Sequence, residues 1–393
     1  MNTAQPKFTL SDLQTEFSKI YHTQPCAYYF APGRINLIGE HTDYNGGKVF
    51  PCAISLGTYA AVKPRSDQTM RLYSANFADQ GVASFNLKQL HYQPNAWINY
   101  PQGMFNFWQK HGYDLTHGFD ILIAGNIPAG GGLSSSASIE MLFGKILSDY
   151  FPNSATALEL VQMGQEVEND FIGVQSGIMD QFAVGFGQKD TAILLDTNTL
   201  KYEMIPLNLQ SYQIVIMNTN KKRTLTNSKY NQRRQECEEA LHRIRQVIPL
   251  ANLGDLTKDQ FDTYTYTLQD EILIKRARHA VFENQRTEQA ACALKNKQLR
   301  TFGRLLNASH ISLEYDYEVT GRELDALVHS AWHHGALGAR MTGAGFGGCA
   351  LALVQQTHLQ DFIQAVNTDY QAQIGYPAAF YPAKIVSGPH KLN

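Results

Sequence analysis

Residues Phe119–Phe151, FDILIAGNIPAGGGLSSSASIEMLFGKILSDYF, decide how this chain reads. Phe119–Ala124 is an apolar run of strand length, and the residues from Ser135 onward have helical spacing. Between them lies Ala129–Ser138, AGGGLSSSAS. Glycines permit close backbone approach and positive φ. A helix N-terminus adds unpaired N–H groups and partial positive charge. Together these make an anion site suited to phosphates. Ser134, Ser135 and Ser136 add hydroxyls for phosphate oxygens or for magnesium. A plainer alternative is a flexible loop with a serine N-cap, which needs only one serine. No GxxxxGK[ST] occurs, which excludes a Walker-type site, and neither HRD nor DFG is present.

Working outward, strand-length apolar runs and helical patterns alternate along the chain, as in a mixed α and β protein. Ala27–Ala31, Val49–Ser55, Tyr212–Met217, Cys349–Val354 and Lys384–Val386 read as strands. Ala155–Phe171, Asn227–Ile248, Gln269–Leu313 and Leu359–Asn367 read as helices. The 393 residues suffice for two or three domains of roughly 150 each. Pro206 is the expected boundary, giving parts 1–206 and 207–393. A formal net charge of −2 gives no reason to expect nucleic acid or an anionic membrane as partner. No apolar run approaches the ~20 residues that span a bilayer. Met1–Gln14 has neither the basic nor the apolar region of a signal peptide, so a cytoplasmic protein is expected. Five scattered cysteines without a CxxC pair speak against a disulfide framework or a cysteine-built zinc site.

Two further glycine-rich stretches stand out. Met341–Cys349, MTGAGFGGC, formally satisfies GxGxxG. Its glycines precede a strand instead of linking strand to helix, so it is no dinucleotide fingerprint. It reads either as a tight turn or as backbone lying against a ligand. Ala31–Pro51, APGRINLIGEHTDYNGGKVFP, crowds Arg34, Glu40, His41 and Asp43 between strand-like residues. An Asn-Gly turn explains Asn45–Gly47 but not those side chains. Carboxylates beside an imidazole suit the hydroxyls of a buried sugar, while a solvated turn is the bland reading.

Taken together, GRINLIGEHTDYNGG resembles the signature of the galactokinase family. IPAGGGLSSSAS and MTGAGFGGC resemble the second and third motifs of the wider GHMP kinases. The three follow the family order from residue 31 to 349, with Gly131 standing where the family usually has alanine. The resemblance implies an α+β fold in two parts. The N-terminal part would be ribosomal-S5-domain-2-like and the C-terminal part ferredoxin-like, with the active site in the cleft between them. It implies transfer of the γ-phosphoryl group of ATP to the C1 hydroxyl of α-D-galactose, with Mg2+. Position by position, it makes Asp180 the base and Arg34 the transition-state stabiliser. Glu40, His41, Thr42, Asp43 and Tyr230 would bind the sugar. Ser74 and the loop Gly130, Gly131, Gly132, Leu133, Ser134, Ser135 and Ser136 would bind the nucleotide. Ser136 and Glu168 would hold the metal. The alternatives are an N-acetylgalactosamine kinase and a non-catalytic galactose and ATP sensor. The oligomeric state is not set by the sequence, and a monomer is favoured.

Local pattern bears on these roles. Glu168 shares a helical face with Val161, Gly164 and Phe171, so its carboxylate points inward and needs a cation or donors. A structural salt bridge is the rival explanation. Asp180 has Ser176, Gly177, Ala183 and Val184 as helical neighbours, an apolar face, and a capping or core-network aspartate is its alternative. Lys221, Lys222, Arg223, Arg233 and Arg234 precede Glu236, Glu238 and Glu239, which reads as a mixed-charge face rather than a nucleic-acid patch. His333-His334 lacks a second ligand pair for zinc.

Overall fold

The computed structural model describes residues 8–94, 96–151, 155–174, 176–221 and 226–392. Along the chain, helix α1 (Leu10–Tyr21) precedes β1 (Ala27–Asn36), β2 (Lys48–Val49), β3 (Pro51–Pro64), β4 (Thr69–Ser74) and β5 (Val82–Asn86). Helix α2 (Asn99–Lys110) and β6 (Phe119–Gly125) lead to α3 (Ser135–Tyr150), α4 (Ala157–Glu166) and α5 (Met179–Phe186). Strands β7 (Thr191–Asp196), β8 (Tyr202–Pro206) and β9 (Tyr212–Asn218) follow. Helices α6 (Thr226–Ile244), α7 (Lys258–Tyr264), α8 (Glu271–Lys295), α9 (Leu299–Ser312) and α10 (Arg322–His333) come next. Strands β10 (Gly338–Thr342) and β11 (Cys349–Gln355), helix α11 (Leu359–Ile374), and strands β12 (Ala379–Ala383) and β13 (His390–Leu392) complete it.

Among the described residues the strands form three sheets, ordered β13-β1-β3-β6-β4-β5, β10-β11-β9-β12 and β2-β7-β8. All described pairings are antiparallel except β4 with β6. Trp108, Phe105, Phe143 and Phe119 fill a core between the first sheet and helices α2 and α3. The second sheet has both faces covered, which is why β9 and β11 read as unbroken apolar runs. Val215 and Met217 join one core with Ala350, Ala352 and Val354, whereas Ile214 and Ile216 join another with Leu351 and Leu353. That second core also holds Ile35, Phe50, Ile54 and Leu133, so it fastens the sugar-motif strands and the glycine loop to the C-terminal half.

Several expectations shift. The helix expected over Gln269–Leu313 is two helices, with Lys297 at φ 56° between them. The expected last strand at Lys384–Val386 lies instead at Ala379–Ala383, and Ile385 forms only an isolated bridge to Ile54. The tail then returns to β1 as β13. Helix α4 continues as a π-helical turn, Val167–Ile172, which re-aims Glu168. Lys222 and Arg223 lie outside the described residues. Within that charged segment Lys221 pairs with Glu323 at 2.8 Å, and Arg234 with Glu238 at 2.9 Å. Arg233 is buried and donates to the Tyr317 carbonyl at 2.7 Å, so it serves packing rather than a solvated face.

β1 and β3 lose register between Pro32 and Gly33, where Pro32 opposes Gly57 and Gly33 opposes Ile54. Ser55 leaves the ladder and its N–H donates to the Lys384 carbonyl at 2.9 Å. The unpaired residues, Ser55 and Leu56, belong to β3, so the bulge bends β3 where it faces Gly33, immediately before Arg34. A Cβ on Gly57 would lie 2.2 Å from the Ala31 carbonyl oxygen and 2.6 Å from the Phe30 ring. Gly57→Ala is therefore expected to destabilise the fold by about 1–3 kcal/mol, read from the urea midpoint by circular dichroism. An unchanged midpoint would contradict the packing described for the bulge.

Candidate active site

Gly33 brings β1 against the glycine loop, since a Cβ there would sit 2.6 Å from the Leu133 carbonyl oxygen. The next N–H, that of Arg34, donates to that carbonyl at 3.2 Å. The Arg34 guanidinium then spans two elements. Nε donates to Asp180 Oδ1 at 2.8 Å and Nη2 to Asp180 Oδ2 at 2.7 Å, while Nη1 donates to the Gly132 carbonyl at 2.7 Å. Such a two-pronged ion pair fixes both position and orientation. Asp180 sits in the first turn of α5, where the helix end favours negative charge.

The loop turns through left-handed residues at Gly130 (φ 67°), Gly132 (φ 72°) and Ser134 (φ 60°). Ser134 precedes α3 but makes no side-chain cap. Its hydroxyl donates to Asp180 Oδ2 at 2.5 Å instead. The first N–H groups of α3 thus lack a side-chain partner from that residue, with exposed Ser135 beside them, as an anion site requires. Leu133 offers the loop only its backbone, because its side chain lies in the shared core. Ser74 ends β4 opposite Ile123 and is buried, beside the strand that feeds the loop but outside the cavity lining.

A cavity of about 210 Å³ lies alongside, lined by Arg34, Glu40, His41, Asp43, Glu168, Asp180 and Tyr230 together with the Gly343–Ala344 backbone. That is smaller than the ~300–1,000 Å³ of drug-sized sites and suits one small polar ligand. A larger groove of about 940 Å³ runs along Leu207–Gln213 and Ala383–Ser387 and touches none of these residues.

Glu40 is fixed from the far side of the chain. It pairs with Arg340, accepts from the Gly343 N–H at 2.9 Å and accepts from Asn36 Nδ2 at 3.0 Å. Burial pushes its carboxyl upward while Arg340 pulls it back. The neighbouring Gly39 N–H donates to Glu283 at 3.0 Å, and His279 Nε2 donates to the Glu40 carbonyl at 3.1 Å. His41 lies 3.2 Å from the Ala344 carbonyl through Nε2, which therefore carries the proton. Nδ1 then accepts from the Tyr44 hydroxyl at 2.8 Å. Burial, reinforced by His279, lowers His41 to about 3, so the ring is neutral. The Tyr230 ring packs 5.5 Å from it. Asp43 is raised to about 6 by burial and then by Asp180. Thr42, expected among the sugar ligands, is absent from the cavity lining. Its hydroxyl lies 2.8 Å from both the Gly39 and the Lys48 carbonyl and braces the turn.

Glu168 is buried, and burial followed by Asp180 raises its carboxyl. Ser176, Ser136 and Gln181 lie near it and draw the carboxyl back down. A carboxylate and a serine hydroxyl at the head of α3 are hard oxygen donors, a set that fits magnesium. His310, Glu314 and His329 also bring ligand atoms within 4.8 Å of one another. The Met341 N–H donates to His310 Nδ1 at 3.2 Å, however, so His310 Nε2 keeps the ring proton and offers no lone pair to a metal. His334 bonds Asp369 at 2.7 Å.

Sequence reasoning missed Arg340, Glu283 and His279. Arg340 directly precedes the third motif, and His279 and Glu283 stand four apart on α8, one face of a helix. Those spacings were the available signal, but nothing in them named Glu40 as partner.

The fold and the site together define a kinase of the GHMP type. Residues 99–188 match the GHMP kinases N terminal domain and residues 290–372 the GHMP kinases C terminal. Mevalonate kinase from Methanococcus jannaschii shares the fold, with a TM-score of 0.66 at 19% identity, covering 92% of this chain and 98% of that one. Residues 15–64 match the galactokinase galactose-binding signature. The chain is 56% identical to galactokinase of Lactiplantibacillus plantarum over 97% of this chain and 99% of that one. It is 51% identical to galactokinase of Streptococcus thermophilus over the full length of both. A Lactococcus lactis galactokinase structure complexed with galactose superposes with a TM-score of 0.95 at 52% identity, covering 98% of this chain and all of that one. The chain belongs to the galactokinase family, a family of sugar kinases.

Removing one member of the buried Arg340–Glu40 pair leaves the other charge uncompensated. Arg340→Met is expected to cost about 3–5 kcal/mol in urea unfolding, and Arg340→Met with Glu40→Gln to recover most of it. Equal losses in the two variants would contradict the pairing.

Proposed function

We propose that the chain transfers the γ-phosphoryl group of ATP to the C1 hydroxyl of α-D-galactose, giving α-D-galactose 1-phosphate and ADP. The observation that carries this reading is the Arg34 guanidinium. It joins the carboxylate beside the small polar cavity to the loop at the head of α3. A base and a phosphate cradle held by one rigid group suit an in-line transfer, in which positioning and charge stabilisation do most of the catalysis.

Asp180 has about four acceptor positions on its two oxygens. Arg34 Nε and Nη2 both lie against Oδ1, at 2.8 and 2.6 Å, while Oδ2 takes Nη2 at 2.7 Å and the Ser134 hydroxyl. Oδ1, which Ser134 does not touch, is the oxygen that would accept the sugar's anomeric O–H and then its proton. Glu40, Asp43 and Tyr230 would hold the other hydroxyls, and neutral His41 would wall the cavity without adding charge. Arg34 remains cationic throughout and would stabilise charge on the phosphoryl group as it moves. Gly130–Ser136 and the α3 N-terminus would bind the phosphates, with Ser74 on the nucleotide side. Ser136 and Glu168 would hold magnesium, which when bound neutralises phosphate charge.

All the groups named come from one chain, which favours a working monomer. The reading divides the chain near Pro206 into 1–206 and 207–393, with the cleft between. It places the reaction in the cytoplasm, where ATP is supplied.

Asp180→Ala is expected to keep galactose affinity by calorimetry while kcat falls on the order of 10²–10⁴-fold in an assay coupled to ADP release. Near-normal turnover would remove Asp180 as base. EDTA is expected to abolish wild-type ADP release and added Mg2+ to restore it. The same assay over a monosaccharide panel ranks galactose against N-acetylgalactosamine. Absence of ADP release with galactose, ATP and Mg2+ would instead mark a sensor.

A further inference from the structure

Behind Glu168 and Asp180 lies a third carboxylate that the mechanism above does not use. Glu140, one turn beyond Ser136 on α3, is completely buried, as is Gln181, the residue after the base. Gln181 Nε2 donates to Glu140 Oε2 at 2.9 Å. The Gln181 side chain also lies beside Glu168 and pulls that carboxyl back down. Two buried oxygens remain without a hydrogen-bond partner, Glu140 Oε1 and Gln181 Oε1. If Glu140 were ionised, both would be acceptors facing no donor, each costing about 1–3 kcal/mol. Water has little room to intervene, because α4 closes over the pair at Gly164. A Cβ there would meet Gln181 Cγ at 2.8 Å and Glu140 Oε2 at 3.2 Å.

One proton removes both orphans. An O–H on Glu140 Oε1 donating to Gln181 Oε1 closes a ring with the existing N–H···Oε2 bond, the pairing of a carboxylic acid with a primary amide. We propose that Glu140 is a neutral carboxylic acid closed face to face on the Gln181 amide, and that this pair is the positioning element for Glu168 and Asp180. The charges that act on Glu140 are those of Glu168 on the π-helical turn and Asp180 on α5, both negative, and the Tyr100 phenol of α2 lies nearby. Burial and these two anions drive its carboxyl well above the usual range. A third anion here would also compete with the two that face the cavity. The acid instead anchors Gln181, which keeps its amide beside Glu168 and holds the first turn of α5 where Asp180 meets Arg34.

The inference rests on the roles given above to Glu168 and Asp180. Its test therefore includes a readout that needs no turnover. In the full-length protein at neutral pH, the infrared difference between wild type and Glu140→Gln is expected to show a protonated carboxylic-acid carbonyl band, lost in the variant. A glutamine forms the same ring with the Gln181 amide, so Glu140→Gln is expected to keep kcat within about threefold, with the wild-type pH profile. Glu140→Leu cannot form it, and its kcat is expected to fall on the order of 10²-fold with the KM for galactose little changed. No lost acid band, or a shifted pH profile in Glu140→Gln, would overturn the neutral acid. Wild-type kcat in Glu140→Leu would overturn the positioning role. Should Glu140→Leu fail to fold, the Glu140→Gln spectrum and profile still decide.

Discussion

Arg34 donates from one edge of its guanidinium to both oxygens of Asp180 and from another to the Gly132 carbonyl, and the site is arranged around that bridge. Its placement depends on features on either side of it. The bulge at Ser55 and Leu56 of β3 breaks the ladder beside Gly33, and Gly33 lets β1 touch the loop without a side chain between them. A planar, permanently charged group suits this position, since a lysine could not bind a carboxylate at two points and a carbonyl at a third. Ser134 completes the arrangement by donating its hydroxyl proton to Asp180 rather than capping α3, so the loop and Asp180 share a hydrogen bond as well as an arginine.

A second arginine performs the matching task at the Glu40 end of the cavity. Arg340 is wholly buried, pairs with Glu40 and reaches the carbonyls of Asn36 and Leu37 at 3.3 and 3.1 Å. Glu283 and His279 hold the backbone of the same turn. These partners come from β10 and α8, whereas the turn belongs to the N-terminal half. The cavity is therefore shaped by contacts between distant parts of the chain. Burying an ion pair is costly unless its remaining hydrogen bonds are met, and here the backbone carbonyls and the Gly343 N–H supply most of them. Such a network favours one arrangement of Glu40 over its alternatives, which a hydroxyl-reading site needs.

Much of this could be read from the residues. The strand, glycine loop and helix at 119–150 stand where their patterns place them, because apolar period and glycine content are local signals. Glu168 is buried and Asp180 lies beside Arg34, as inward-facing carboxylates required. Other features were invisible for physical reasons. The pairing of Glu40 with Arg340 joins residues 300 positions apart, and no periodicity reports such a distance. Thr42 sits among sugar-facing residues in sequence, yet a tight turn through His41 at φ 61° rotates it onto backbone carbonyls. The π-helical turn at 167 depends on packing against α2, and the last strand's return to β1 depends on tertiary closure. Single-sequence patterns carry neither.

The most direct measurement is a crystal structure with galactose and a non-hydrolysable ATP analogue bound together with Mg2+. The account predicts the sugar's anomeric oxygen within hydrogen-bond reach of Asp180 Oδ1, and the terminal phosphorus in line with it over the 130–136 loop. A sugar whose anomeric carbon points away from Asp180, or a triphosphate lying outside the loop, would contradict it.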